Sequence, residues 1–154
     1  MKKQPGPGSS ALRKGRYSQP SRIYLVTTVT DQRISWFKQS DLARLMCRSL
    51  HDGSSLLDAR NLCWVVMPDH VHMLLQLGRA DLSKVVRSLK AHSAARLNRQ
   101  IGRHGRFWYP GYHDHALRYE EDLRGVARYV TANPLRAGLV KRIGDYPFWN
   151  AVWL

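Results

Sequence analysis

Acidic residues are scarce in this chain of 154 residues: 11 Asp and Glu stand against 25 Lys and Arg, a formal charge of +14. Few carboxylates are therefore left for a two-metal centre. Several have evident work at helix starts: Asp81 precedes Leu82, and Glu120, Glu121 and Asp122 open the segment that holds Tyr129, where negative charge complements the helix dipole. Cysteine is also sparse. Cys47 falls in a predicted helix and Cys63 in a predicted buried strand, so they read as reduced core thiols, consistent with the cytosol. No segment approaches the ~18 apolar residues of a membrane span. The basic N-terminus runs into Gly, Pro and Ser instead of an apolar stretch, so it does not read as a secretory signal.

What is abundant is positive charge, with a pI near 10.5. On a small domain such an excess is the electrostatic footprint of a nucleic-acid binder, because phosphate contacts release counterions. An anionic membrane surface is the other partner for a basic chain, but no long basic amphipathic helix stands alone here. If the chain cuts nucleic acid, the shortage of carboxylates favours a single metal held by histidine and a nucleophile supplied by the protein.

The length suits one domain with one sizeable core. Residues 1–11 read as a flexible basic arm and residues 12–154 as the domain. Arg22 to Thr30, β-branched and aromatic, predicts the first strand. A helix follows from Asp41 to about His51, with Leu42, Leu45, Met46 and Leu50 inward. Asn61 to Met67 predicts a second strand, Pro68-Asp69 a turn, and His70 to Leu77 a third strand. A long helix spans Asp81 to about Ile101. Its outer face carries Lys84, Arg87, Lys90, Arg96 and Arg99, which either contact DNA or form a solvated face, DNA being favoured by the net charge. Arg106 to Tyr109 and His113 to Arg118 suggest an aromatic hairpin around Pro110-Gly111. Glu120 to Asn133 predicts a last helix ended by Pro134, and residues 135–154 a tail packed back on the core. The order β-α-β-β-α-β-α implies an α+β fold, a ferredoxin-like antiparallel sheet faced by helices.

Two features suggest chemistry. In Met67-Pro68-Asp69-His70-Val71-His72, strand periodicity sends His70 and His72 to the same face, where two imidazoles can chelate a divalent cation and leave positions for water or phosphate oxygen. Two half-exposed histidines on a basic protein are the plain alternative. Downstream, Leu123, Val126, Ala127 and Val130 form an apolar stripe with Tyr129 at its edge and Asn133 one turn later. Position alone would make Tyr129 an ordinary amphipathic tyrosine. As a nucleophile it would need a metal to draw charge from the phosphate. His113-Asp114-His115 is a rival metal site, with DNA contact or core hydrogen bonding as its other readings. Trp108, Tyr109 and Tyr112 suit either base stacking or a small core.

Four segments carry a resemblance: Arg13-Lys14-Gly15-Arg16-Tyr17-Ser18, Met67 to His72, Gly111-Tyr112-His113-Asp114-His115-Ala116-Leu117-Arg118, and Tyr129-x-x-x-Asn133-Pro134-Leu135-Arg136-Ala137-Gly138-Leu139-Val140. In order and spacing, from about Leu12 to the C-terminus, the chain resembles the REP-associated tyrosine transposases, single-tyrosine relatives of the HUH type. The resemblance implies a nuclease and strand transferase acting on single-stranded hairpins of repetitive extragenic palindromes, with a tetranucleotide guide at the hairpin foot. It implies Mg²⁺ or Mn²⁺ at His70 and His72, with Asn133 where relatives place a third ligand, and Tyr129 as the nucleophile. Residues expected on DNA are Arg13, Lys14, Arg16, Arg87, Lys90, Arg96, Trp108, Tyr112, His113 and Arg118. The expected setting is cytoplasmic and nucleoid-associated, as monomer or homodimer, without a membrane partner. The alternative is a non-catalytic hairpin-binding protein on the same fold, a domesticated relative.

Overall fold

The computed structural model describes residues 21–118 and 122–153. Strand β1, Ile23–Val29, alternates between half-exposed and buried residues, so one edge of its pleat enters a core while the other remains near solvent. Helix α1, Ser40–Asp52, buries Leu42, Ala43, Met46 and Leu50, and Gly53 closes it in the left-handed conformation (φ 75°). Strand β2, Arg60–Met67, is buried almost throughout, as expected for a strand covered on both faces. The Pro68-Asp69 turn leads into β3, His70–Gln76. Helix α2, Leu82–Ile101, starts after Asp81 and is stopped by Gly102 (φ 66°).

Strand β4, His113–Ala116, is followed by α3, Leu123–Thr131, the short α4, Asn133–Arg136, and β5, Trp149–Ala151. The sheet order is β4-β1-β3-β2-β5, and each neighbouring pair is antiparallel. This is the expected α+β ferredoxin-like sheet with one extra edge strand. On one face Val26, Val66, Val71, Met73 and Leu75 meet α1 and α2. On the other, Val65, Met67 and Leu74 meet Ala127 and Val130 of α3 together with Tyr146 and Ala151. A bulge between Asn61 and Cys63 lets Leu62 and Cys63 both serve this second core. Among the described residues no helix is long and apolar enough to cross a membrane.

Two expectations change. Residues 106–109 do not pair with 113–118 as a hairpin: Trp108 makes an isolated bridge to Thr30, while β4 pairs with β1. Each segment thus uses β1 and its continuation as its partner instead of the other. Nor does Pro134 end the helix of Tyr129. That helix stops at Thr131, and Pro134 sits in the first turn of α4, where its missing N–H leaves no gap in the hydrogen bonding. Asn133 consequently belongs to a second helix. Of the predicted start, Glu120 and Glu121 lie outside the described residues. Asp122 caps α3, its side chain accepting from the Arg124 amide at 3.1 Å. The tail contributes β5, which was too short for its pattern to stand out.

Candidate functional site

Strand alternation places His70 and His72 on the α3 face of the sheet, with ring centroids 4.7 Å apart and planes at 81°. Both rings are held from their Nδ1 side. His70 Nδ1 lies 2.7 Å from Asp69 Oδ1, and Asp69 also pairs with Arg33 at 3.2 Å. His72 Nδ1 lies 2.7 Å from Thr27 Oγ1 on β1, whose register sets Thr27 opposite His72. With Nδ1 engaged, Nε2 is the nitrogen each ring has left for a cation, and a carboxylate behind a histidine raises its basicity as a ligand. Burial, and then the positive surroundings of His70, Arg136 and His113, push His72 down to about 4. Its imidazole is therefore neutral near pH 7, the state that can ligate.

Helix α3 packs on β2, β3 and β5, leaving the His70 and His72 side chains half-buried beside it. Tyr129, on the outer flank of α3, is 61% exposed. The Arg136 guanidinium carbon lies 3.7 Å from the centroid of its ring. Asn133 turns its amide nitrogen back to the Val130 carbonyl at 2.8 Å, so its Oδ1 is the atom with which it can face a cation. Among the described residues no group of three or more His, Cys, Asp and Glu gathers as a metal site. The donors that strand β3 brings together for a divalent cation are the two imidazoles, which would leave the remaining positions to other oxygen donors, water or phosphate.

His113 opens β4, and its backbone lies opposite Thr27, which lies opposite His72 on the other side. His113 therefore extends the same row, and His115 shares its face. Trp108 and Tyr112 correct the sequence reading: they are 5% and 6% exposed. Trp108 donates its indole N–H to Ser93 Oγ, and the Tyr112 hydroxyl meets Ser83 Oγ, so both rings are spent on the core under α2. The ring that does reach solvent is Tyr109, 57% exposed. Lys90 donates to the Tyr109 and Gly111 carbonyls at 2.8 and 2.7 Å, fixing that loop in place of reaching outward. Arg96 pairs with Asp52 of α1, and Arg87 is exposed on α2. Helix α2 covers the sheet face opposite the histidines, so these residues stand apart from the pair. Arg118 is exposed just beyond β4. Arg13, Lys14 and Arg16 lie outside the described residues.

Sequence reasoning missed Thr27, Asp69, Arg33 and Arg136. Asp69 could have been found, since an acid immediately before a His-x-His strand is a natural partner for the first ring.

The profile of the family described as Transposase IS200 like matches residues 18–133. The chain belongs to this family. An Escherichia coli REP-associated tyrosine transposase is 33% identical to this chain over 90 residues, 55% of this chain and 50% of the relative. A Haemophilus influenzae protein, provisionally named the same way, is 30% identical over 94 residues, 54% of this chain and 53% of its own. The chain spans about half the length of the curated relatives it matches. Among solved structures, a REP-associated tyrosine transposase bound to a REP hairpin superposes with a TM-score of 0.70 at 25% identity, covering 87% of this chain and 79% of that one. The fold and the family agree with the resemblance read from the four sequence segments.

Proposed function

We propose that this IS200-like transposase is a metal-dependent single-stranded DNA endonuclease and strand transferase that acts on hairpins of repetitive extragenic palindromes. The observation that carries this reading is the histidine pair, anchored through Nδ1 by Thr27 and Asp69 beside the helix of an exposed tyrosine. A protein that only binds hairpins has no need of two imidazoles buttressed in this way. The relative seen with a REP hairpin supports the substrate, and the charge of +14 supports a nucleic-acid partner.

In this reading His70, His72 and Asn133 Oδ1 would hold Mg²⁺ or Mn²⁺, which when bound would supply Lewis-acid stabilisation of the charge that develops at the scissile phosphate and its 3′-oxygen. Thr27 and Asp69 keep the imidazoles oriented, each from its Nδ1 side. Tyr129 Oη attacks phosphorus; the new O–P bond forms as the P–O3′ bond breaks, the phenolic proton is released, and the 3′-oxygen ends protonated. The products are a 5′-phosphotyrosine and a free 3′-hydroxyl, and attack by a 3′-hydroxyl reverses the step to join strands.

The test uses a 3′-end-labelled single-stranded palindrome with Mg²⁺. The chain should carry label covalently, and Tyr129→Phe should lose both adduct and cleavage while still binding the hairpin, because removing one hydroxyl leaves the ring packed. Cleavage without an adduct in Tyr129→Phe would instead identify water as the attacker.

A further inference from the structure

Arg136 closes α4, seven residues after Tyr129. The chain turns between the two helices, and the backbone bonds from Arg136 N to Ala132 O at 3.0 Å and from Ala137 N to Asn133 O at 2.9 Å hold α4 to that turn. The turn brings the guanidinium back over the face of the Tyr129 ring, its carbon 3.7 Å from the centroid, closer than Arg103 stands over Trp36 at 5.4 Å. Helix α4 also packs on β2, the strand paired with β3, so the helix that carries Arg136 lies close to the strand of the histidine pair.

This arrangement suits a particular task. A tyrosine that is 61% exposed on a helix flank has few neighbours to fix its χ angles. A planar guanidinium stacked on one ring face removes part of that freedom and leaves the edge bearing Oη open. Its N–H groups do not all lie against the ring, and they are always charged, so they can meet phosphoryl oxygens. Negative charge gathers on those oxygens as the Oη–P bond forms and the P–O3′ bond breaks.

We propose that Arg136 is a positioning residue for strand cleavage, holding the Tyr129 ring by stacking and directing it, together with the scissile phosphate, toward the His70 and His72 side of the site. The inference rests on the reading of Tyr129 as the nucleophile. Lysine would keep the charge but lose the planar stack, so the role is specific to guanidinium.

The experiment compares the full chain with Arg136→Ala, Arg136→Lys and Tyr129→Phe on a 3′-end-labelled single-stranded hairpin with Mg²⁺. It measures the single-turnover rate of adduct formation at saturating DNA and, separately, hairpin affinity by fluorescence anisotropy. Arg136→Ala should lower the rate by about tenfold or more, since small misplacements of a reacting group cost up to about 10²-fold. Affinity should move by less than about threefold, the effect of one phosphate contact among many. Arg136→Lys should not recover the rate, whereas methylguanidinium added to Arg136→Ala should restore part of it saturably. That rescue also shows that the variant is folded.

A wild-type rate in Arg136→Ala overturns the proposal. So does a loss confined to affinity and recovered by lysine, which would make Arg136 a plain phosphate contact, and so does a rate loss that methylguanidinium leaves unchanged. Failure of the underlying reading looks different: the adduct would persist in Tyr129→Phe whatever happens at position 136.

Discussion

Thr27 and His72 are 45 residues apart in the chain, yet Oγ1 of one and Nδ1 of the other lie 2.7 Å apart across the β1–β3 ladder. The bond fixes the imidazole on the side away from a ligand and selects which nitrogen is presented. Thr27→Val keeps the β-branched shape and removes the hydroxyl. Cleavage at limiting Mg²⁺ should fall by about 10–100-fold, the usual cost of losing a partner behind a metal-ligating histidine. Thr27→Ser should retain most of it. A Thr27→Val protein with an unchanged Mg²⁺ titration would remove the hydroxyl from any role at the site.

The histidines themselves should separate chemistry from affinity. Phosphate contacts supply most of the binding energy for nucleic acid and are spread over many basic side chains. His70→Ala and His72→Ala should therefore abolish cleavage and leave hairpin binding nearly unchanged, and EDTA should reproduce this with the unaltered chain. If both variants cut at the normal rate, the histidine pair holds no metal needed for the reaction.

The parts of this site legible in the sequence are those written in a local period. A strand repeats every two residues, so His70 and His72 had to share a face. A helix repeats every 3.6, so Tyr129 had to fall at the edge of the stripe ending in Val130. Contacts made by the fold at long range were not legible. Nothing near Thr27 announces His72, and nothing near Trp108 or Tyr112 announces Ser93 and Ser83, the groups that bind their polar tips inside the core. Arg136 was hidden for a further reason. Ending the helix at Pro134 left residue 136 in a tail, whereas Pro134 begins a second helix that returns Arg136 to Tyr129. Lys90 counted as one more charge in a stripe, but the ammonium is tied to two carbonyls of the Tyr109 loop.

Both thiols should be inert in the folded chain. Burial pushes Cys47 and Cys63 up to about 12, and Cys63 also lies 3.7 Å from the Ala127 carbonyl. At pH 8 a thiol with such a pKa is thiolate on the order of one part in ten thousand, and only the thiolate attacks. Labelling with a disulfide reagent should be slow in native buffer and fast for both cysteines in urea. Immediate native labelling of either would contradict this burial.

Tyr109 gives a prediction about strandedness. Its ring is exposed, and its backbone is fixed by two bonds, its N–H to the Val29 carbonyl at 2.8 Å and its carbonyl from Lys90, which also holds the Gly111 carbonyl of the same loop. It borders a shallow hollow with Thr27, Val29 and His113. In the β1–β3 register Thr27 and Val29 lie opposite His72 and His70, so that hollow adjoins the candidate metal site. A rigid exposed ring there can stack an unpaired base flanking the phosphate, at about 1–3 kcal/mol per base. Tyr109→Ala should weaken binding of single-stranded hairpin with a free foot by about 5–150-fold, as that energy implies, and Tyr109→Phe should bind like the unaltered chain. A fully paired duplex of the same sequence buries its base faces. It should be cut weakly or not at all, and its binding should not respond to Tyr109→Ala. Equal losses on duplex and single strand would mean that the ring does not read unpaired bases, and equal cleavage of the two would reject single-stranded DNA as the substrate.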